Sequence, residues 1–309
     1  MSPWESLLLG GLQGATEFLP VSSSGHLVLA EHLLHLRPSL AFNAALHAGT
    51  LAAVVAYYRR DLWAMVRQAF VSLAGLFHGR GARAIWAEDH ATRLGLLIVA
   101  ATIPTGIIGL ALKAPVERAM AGGTATSAAL LVTGVLVMIT RFAPGNRAGA
   151  SSAEPAPDPA ALPSTGPAAG AGPAAPPAGS DDIGPTQVTL LVALAVGVAQ
   201  GLAVFPGISR SGATLAAALL LGVVRADAAR FAFLLSIPAI LGALVLESGH
   251  LATLARGDLG SLLLGVGTAV VVGYLSLAML VVLVRRGGLH HFAWYVIPLG
   301  LAGLVYFNL

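Results

Sequence analysis

Six stretches of the chain run almost without charge for long enough to cross a bilayer, at about 41–58, 93–112, 124–140, 231–246, 260–284 and 291–308. A spanning helix needs about 20 apolar residues, so the pattern predicts six transmembrane helices, the third and fourth being the shortest. Pro104, Pro238, Gly265 and Gly267 fall inside them, and membrane helices tolerate such residues where neighbours satisfy the freed backbone groups. Two further apolar regions, about 3–36 and 186–222, behave differently. Each is broken at its centre by Pro, Gly and closely spaced Ser residues and reads as helix, irregular loop, helix. Each half is only about 15 residues, too short to span. The length argument therefore predicts two re-entrant hairpins in preference to two complete spans per region. Their broken centres must be covered by protein or line a wet cavity.

The two broken centres are copies of one another. QGATEFLPVSSSGHL (Gln13–Leu27) and QGLAVFPGISRSGAT (Gln200–Thr214) align without a gap, matching at Gln13/Gln200, Gly14/Gly201, Phe18/Phe205, Ser22/Ser209, Ser24/Ser211 and Gly25/Gly212. Their mismatches divide the chemistry. Glu17 and His26 occur only in the first copy, opposite Val204 and Ala213. Arg210 occurs only in the second, opposite Ser23. Acid, base and cation are thus split between two copies of one element, which points to a single composite polar site.

Composition sharpens this reading. The chain is 56% hydrophobic and 10% charged, against about 25% charged residues in soluble proteins. With no cysteine, there is no disulfide framework, thiolate metal site or cysteine nucleophile. The net charge of +3 comes without a basic stripe interleaved with aromatics, so no nucleic-acid partner is expected. The partner is the lipid bilayer. No basic region precedes the first apolar run, so no cleavable signal peptide is expected.

The distribution of the basic residues predicts orientation. Loop 59–92, the 141–185 linker, loop 223–230 and segment 285–290, with Arg93, hold twelve Lys or Arg residues. The opposing loops hold four, namely Arg37, Lys113, Arg118 and Arg256. The positive-inside rule makes the first side cytoplasmic. Both termini then lie outside, and the two hairpins enter from opposite faces. The expected fold is an all-α polytopic membrane protein with an inverted-topology repeat, each half being one re-entrant hairpin plus three transmembrane helices. The first repeat is 1–142 and the second 187–309. Residues 143–186, rich in Ala, Pro, Gly and Ser, read as a disordered linker. Loop 62–90, with Trp63, Trp86 and scattered arginines, reads as short amphipathic helices along the cytoplasmic interface.

Excluding the boundary residue Arg93, four charged residues fall in the embedded regions: Glu5, Glu17, Glu31 and Arg210. Glu5 and Glu31 sit near hairpin ends, whereas Glu17 and Arg210 sit at the broken centres. Charge there costs about 2.5–3.5 kcal/mol on insertion scales and marks function by default; the bland reading is a pair that only locks the hairpins together. Arg210 offers a fork of donors suited to phosphate oxygens. Ser209 and Ser211 add hydroxyls, or serve only as caps. The helix that follows, starting at about Gly212, presents free N–H groups to an anion. Gly25 and Gly212 permit close backbone approach. In the first loop His26 is a candidate general acid or base, and Ser22, Ser23 and Ser24 are candidate nucleophiles. Glu17 is suited to binding a divalent cation, orienting His26 or taking a proton. A hard cation fits a lone carboxylate, since it keeps water and substrate phosphates as ligands; zinc-type spacing is absent. His47, one turn after Asn43, is a candidate to face the site from the first span. Gln13 and Gln200 are supporting candidates, and His290 and His291 are expected to be interfacial.

At these residues the chain resembles the undecaprenyl-diphosphate phosphatase family, the bacitracin-resistance proteins. EFLPVSSSGH, PGISRSG and the Phe42–Thr50 stretch FNAALHAGT carry the resemblance, which covers the whole chain outside the linker. It implies a polytopic inner-membrane enzyme that removes the terminal phosphate of undecaprenyl diphosphate. The product is the lipid carrier for peptidoglycan and other envelope polymers. It also implies dependence on a divalent cation (Mg²⁺ or Ca²⁺), a site open to the periplasm, and pairing as a homodimer. By motif position, the family's functional glutamate falls on Glu17, its proposed nucleophilic serine on Ser23, its catalytic histidine on His26 and its phosphate-binding arginine on Arg210. Many members carry a second glutamate where this chain has Gln13, so here the metal cannot rest on two carboxylates. Attack by Ser23 or by water stays open at this point. A lipid-phosphate transporter or flippase with the same anion site is the rival, because inverted repeats with broken helices are also transporter architecture.

Overall fold

The computed structural model describes residues 2–112, 114–116, 123–144, 187–251 and 259–309. The linker prediction falls almost wholly on residues outside this set, as do Lys113, Arg118 and Arg256. Among the described residues the chain is helical with no strand. In order come α1 (Pro3–Glu17), α2 (Ser23–Leu33), α3 (Leu40–Tyr57), α4 (Arg59–Phe77), α5 (Ala82–Glu88), α6 (His90–Ala111) and α7 (Gly123–Ile139). Then follow α8 (Leu190–Leu202), α9 (Arg210–Leu220), α10 (Arg225–Leu246), the short α11 (Ser248–Leu251), α12 (Leu259–Arg285) and α13 (Ala293–Asn308).

Six of these elements are long and apolar enough to cross a membrane: α3, α6, α7 with its 3-10 extension to Phe142, α10, α12, and α13 with the preceding turn from Leu289. The chain is a multi-pass, all-α membrane protein. The span expected at 231–246 begins earlier, at Arg225, because Arg225 and Arg230 reach partners at the bundle end and need not leave the helix. Loop 62–90 also departs from expectation. Instead of several short helices it holds one of 19 residues, α4, which leaves α3 with only Tyr58 between them, and the 7-residue α5. Trp63, Phe70 and Phe77 stand on its exposed side, while Ser72 is buried and donates to Asp89 ahead of α6.

The four helices flanking the breaks have 15, 11, 13 and 11 residues. At 1.5 Å per residue even the longest covers about 22 Å, short of the roughly 30 Å hydrocarbon layer. Each leading helix is seated by glycines against a span from the other part of the chain. A Cβ on Gly10 of α1 would come within 2.2 Å of the Gly265 carbonyl oxygen of α12, and one on Gly197 of α8 within 2.1 Å of the Ala101 carbonyl oxygen of α6. One turn on, Gly14 abuts Ala269 and Gly273, and Gly201 abuts Ile108. Where there is no hydrophobic drive between helices, such close backbone approach is what small residues supply.

These contacts set direction. α1 runs alongside α12 in the same sense, and α8 alongside α6. The basic connectors gather at one end of the bundle: Arg230 pairs with Asp61, and the Arg225 guanidinium donates to the Arg285 carbonyl at 3.3 Å. α12 ends there and α6 starts there. α8 therefore begins at the basic end and α1 at the other. Between them lies the main core, in which Phe18 meets Phe233 edge-on at 6.1 Å.

Gly10→Ala is expected to cost about 1–3 kcal/mol, the usual penalty for overpacking, and to lower the unfolding temperature in detergent. Gly267→Ala, where a Cβ meets open space, is expected to leave it unchanged.

Candidate functional site

The break after α1 spans residues 18–22 and that after α8 spans 203–209, and the two touch. The backbone N–H of Gly207 donates to Ser24 Oγ at 3.4 Å, and Ser211 Oγ donates to the Leu19 carbonyl at 3.2 Å. A Cβ on Gly25 would lie 3.2 Å from Gly207 Cα. Gly207 itself has φ +94° and packs against the Thr126 carbonyl of α7, a position closed to other residues by both conformation and space.

Each loop ends on a serine cap. Ser209 Oγ accepts from Gly212 N at 3.1 Å, so α9 begins at Arg210, earlier than the glycine that the sequence suggests. Ser22 Oγ accepts from Gly25 N at 3.2 Å at the head of α2. Ser22 does so with φ 69° and ψ 98°, a left-handed conformation that costs a residue with a side chain about 1–3 kcal/mol. The strained turn delivers Ser23 as the first residue of α2. Ser209 and Ser211 also share a hydrogen bond at 3.0 Å, and Ser22 and Ser24 one at 3.3 Å.

Glu17, at the end of α1, is the centre. Its side chain is 5% exposed. Ser23 Oγ donates to Glu17 Oε2 at 2.6 Å and Gln13 Nε2 donates to the same oxygen at 2.9 Å. His47, from α3, brings Nδ1 to 2.9 Å from Gln13 Nε2 and 3.4 Å from Glu17 Oε2. Neutral, that nitrogen accepts from the amide; protonated, it becomes a cation beside the carboxylate. From the other loop Arg210 places Nη2 3.7 Å from Glu17 Oε1. That is an ion pair but too long for a good hydrogen bond, and Arg210 Nη1 is buried with no partner. The guanidinium lines a small pocket with Glu17, Ser211, Thr214, Phe233 and Ser236.

The structure thus gathers Gln13, Glu17, Ser23, His47 and Arg210. It leaves three candidates elsewhere. Asn43 donates to Glu31 Oε1 at 3.0 Å. Gln200, the copy of Gln13, donates to Thr105 Oγ1 at 3.3 Å and the Leu235 carbonyl at 3.4 Å, because its own loop has Val204 where Glu17 would be. Both nitrogens of His26 are engaged away from Glu17: Nδ1 with the Ser22 carbonyl and Nε2 with the Tyr295 hydroxyl, each at 2.8 Å. Thr133 and Tyr295 were not visible as site residues in the sequence. Thr133 Oγ1 donates to the Gly207 carbonyl at 2.7 Å and accepts from Ser209 N at 2.9 Å. Both sit on spans without any local motif.

As a cation site the cluster has a defined character. Among the described residues no three His, Cys, Asp or Glu converge, so a zinc-type cage does not fit. A hard cation that takes few protein oxygens does fit: the Glu17 carboxylate is flanked by Gln13, whose Oε1 is buried without a partner.

The family model described as Bacitracin resistance protein BacA matches residues 6–302. The chain belongs to this family. Among curated relatives, it is similar to an undecaprenyl-diphosphatase of Desulfosudis oleivorans, with 41% identity over 306 residues and 97% of each chain covered. It is similar also to undecaprenyl-diphosphatases of Geobacter metallireducens, 38% identical over 99% of this chain and 98% of the relative, and of Korarchaeum cryptofilum, 34% identical over 96% and 97%. The BacA family match takes in both loops, so Glu17 and Arg210 lie within it on either side of the linker.

Thr133→Val keeps the shape of the side chain and strands the Gly207 carbonyl and the Ser209 N–H. The expected cost is about 1–3 kcal/mol, with faster amide hydrogen exchange confined to residues 207–211.

Proposed function

We propose that this protein is a membrane phosphatase that hydrolyses undecaprenyl diphosphate to undecaprenyl phosphate and inorganic phosphate, recycling the lipid carrier for peptidoglycan synthesis and conferring bacitracin resistance. The observation that carries the reading is Ser23 Oγ, presented by a strained turn and donating at 2.6 Å to a buried carboxylate beside an arginine with an unpartnered N–H. That is a nucleophile, a proton acceptor and an anion donor in one place. The relatives' names supply the substrate.

In this mechanism the terminal phosphoryl lies against Arg210 and the N–H groups at the start of α9. Ser23 Oγ attacks phosphorus as its proton passes to Glu17 Oε2. The phosphoanhydride P–O bond breaks and undecaprenyl phosphate leaves as the anion. Water then cleaves the phosphoserine, releasing phosphate and returning the proton to Ser23. Gln13 and His47 hold Glu17 in place. A divalent cation, Mg²⁺ or Ca²⁺, is the proposed cofactor; Glu17 and Gln13 Oε1 would hold it, and it would neutralise phosphate charge.

The proposed setting is an inverted-topology repeat in the cytoplasmic (inner) membrane, each half a re-entrant hairpin with three spans. The opposite starting ends of α1 and α8 support it, as do the matched glycine contacts and the basic connectors at one end. By the positive-inside rule that end is cytoplasmic, and the termini and the mouth of the site face the periplasm. The lipid tail lies between spans, and the protein pairs as a homodimer. A transporter would need the anion site but not a hydroxyl bonded to a carboxylate.

Phosphate release from undecaprenyl diphosphate in detergent, where no second compartment exists, decides between them; binding without release would overturn the enzyme. Arg210→Ala is expected to lower kcat/KM about 10³-fold, with Arg210→Lys intermediate because a point charge replaces the fork. Ser23→Ala is expected to abolish the phosphoenzyme, and full turnover by that variant would assign the attack to water. Gln13→Glu, which adds a second carboxylate, is expected to lower the cation concentration for half-maximal rate severalfold.

A further inference from the structure

His26, in the first turn of α2 after the first loop, is the candidate acid or base that the mechanism above leaves unused. Its ring is buried, and it faces neither Ser23 nor Glu17. A carbonyl oxygen only accepts, so the 2.8 Å contact with the Ser22 carbonyl puts a proton on Nδ1. In the neutral ring Nε2 then carries the lone pair and accepts from the Tyr295 hydroxyl at 2.8 Å. Tyr295 comes from α13, 269 residues further along the chain, and its ring also stacks on the imidazole, 5.6 Å between centroids and 20° between planes. His32, six residues further along α2, makes the same local bond to the Val28 carbonyl. What distinguishes His26 is the residue it grips. Its Nδ1–H and its backbone N–H, the latter at 3.1 Å, both hold the carbonyl of Ser22, the residue with φ 69°. The peptide plane of that carbonyl leads directly into Ser23.

We propose that His26 and Tyr295 are a positioning pair: Tyr295 fixes the Nδ1–H tautomer of His26, and His26 clamps the strained Ser22 carbonyl so that Ser23 Oγ points at Glu17. α13 thereby takes part in a site otherwise built from the two loops, the helices that flank them, α3 and α10. This role rests on the reading of Ser23 as nucleophile and moves His26 from proton transfer to geometry.

Two sets of variants of the full-length protein test it, with undecaprenyl diphosphate as substrate. Asn has an amide N–H near the position of Nδ1–H, whereas Ala has no donor. His26→Asn is therefore expected to keep about tenfold more kcat than His26→Ala, at similar KM; equal loss in the two overturns the clamp, because a proton-transfer role is abolished by both. Tyr295→Phe keeps the ring and drops the hydroxyl, and is expected to lower kcat about tenfold with KM within about twofold. A Tyr295→Phe protein at the wild-type kcat overturns the part given to Tyr295. Nitrogen-15 NMR of histidine-labelled protein in micelles reads the tautomer without turnover. A protonated Nδ1 with a hydrogen-bonded, unprotonated Nε2 on His26 is expected, the Nε2 resonance moving toward that of a free pyridine-type nitrogen in Tyr295→Phe. An Nε2–H tautomer in the wild type overturns the proposal. Wild-type protein that releases no phosphate would refute the phosphatase reading, while the tautomer result would still decide whether the pair exists.

Discussion

The constraint on which the rest depends is the burial of the Glu17 carboxylate. A lone ionised carboxyl inside an apolar bundle is costly unless it is paired and hydrogen-bonded. Glu17 is satisfied by Ser23 and Gln13 from its own hairpin, His47 from α3 and Arg210 from the other loop. The match is incomplete on the arginine side, where the distance is long and one Nη has no partner. A pair serving only to lock two hairpins together would be expected to close into a short bidentate contact. The open geometry instead leaves donors facing the pocket, at the cost of stability that the surrounding packing must supply.

That packing explains why glycine recurs in the apolar helices. Two short helices, neither able to span, must be held at depth by neighbours, and their backbones must come close enough to cover groups that lipid cannot satisfy. Gly10 and Gly14 do this for α1 against α12, as Gly197 and Gly201 do for α8 against α6. The loops are joined the same way. Gly25 and Gly207 let them touch, and Thr133 ties the second loop to α7 through one donated and one accepted bond. Glu17, Ser23 and Arg210 thus sit at helix ends bordering irregular backbone that is fixed from several spans at once, which is what keeps a 2.6 Å contact between Ser23 and Glu17 in register.

The duplication is most instructive where the copies fail to match. Gln13 and Gln200 occupy equivalent places, yet Gln13 braces Glu17 while Gln200 caps a span backbone, because Val204 gives it no acid to hold. Ser22 and Ser209 both cap the second helix of their hairpins, but only Ser22 takes a left-handed φ. The divergent copy keeps the scaffold and supplies the cation.

The sequence alone determined the six spans, the two broken regions, the shared motif and the residues at which its copies differ. Uncharged length and ungapped identity are local signals, readable without a fold. They placed Glu17, Ser23 and Arg210 among the candidates, and the spacing of Asn43 and His47 placed both on one helix face. Only the tertiary structure decided that His47 turns to Glu17 and Asn43 to Glu31. It also decided that His26 belongs with Tyr295. Each of those depends on a partner far away in the chain, or on how an otherwise ordinary apolar span is rotated against its neighbours. No residue type or spacing encodes that rotation; the packing of the whole bundle sets it.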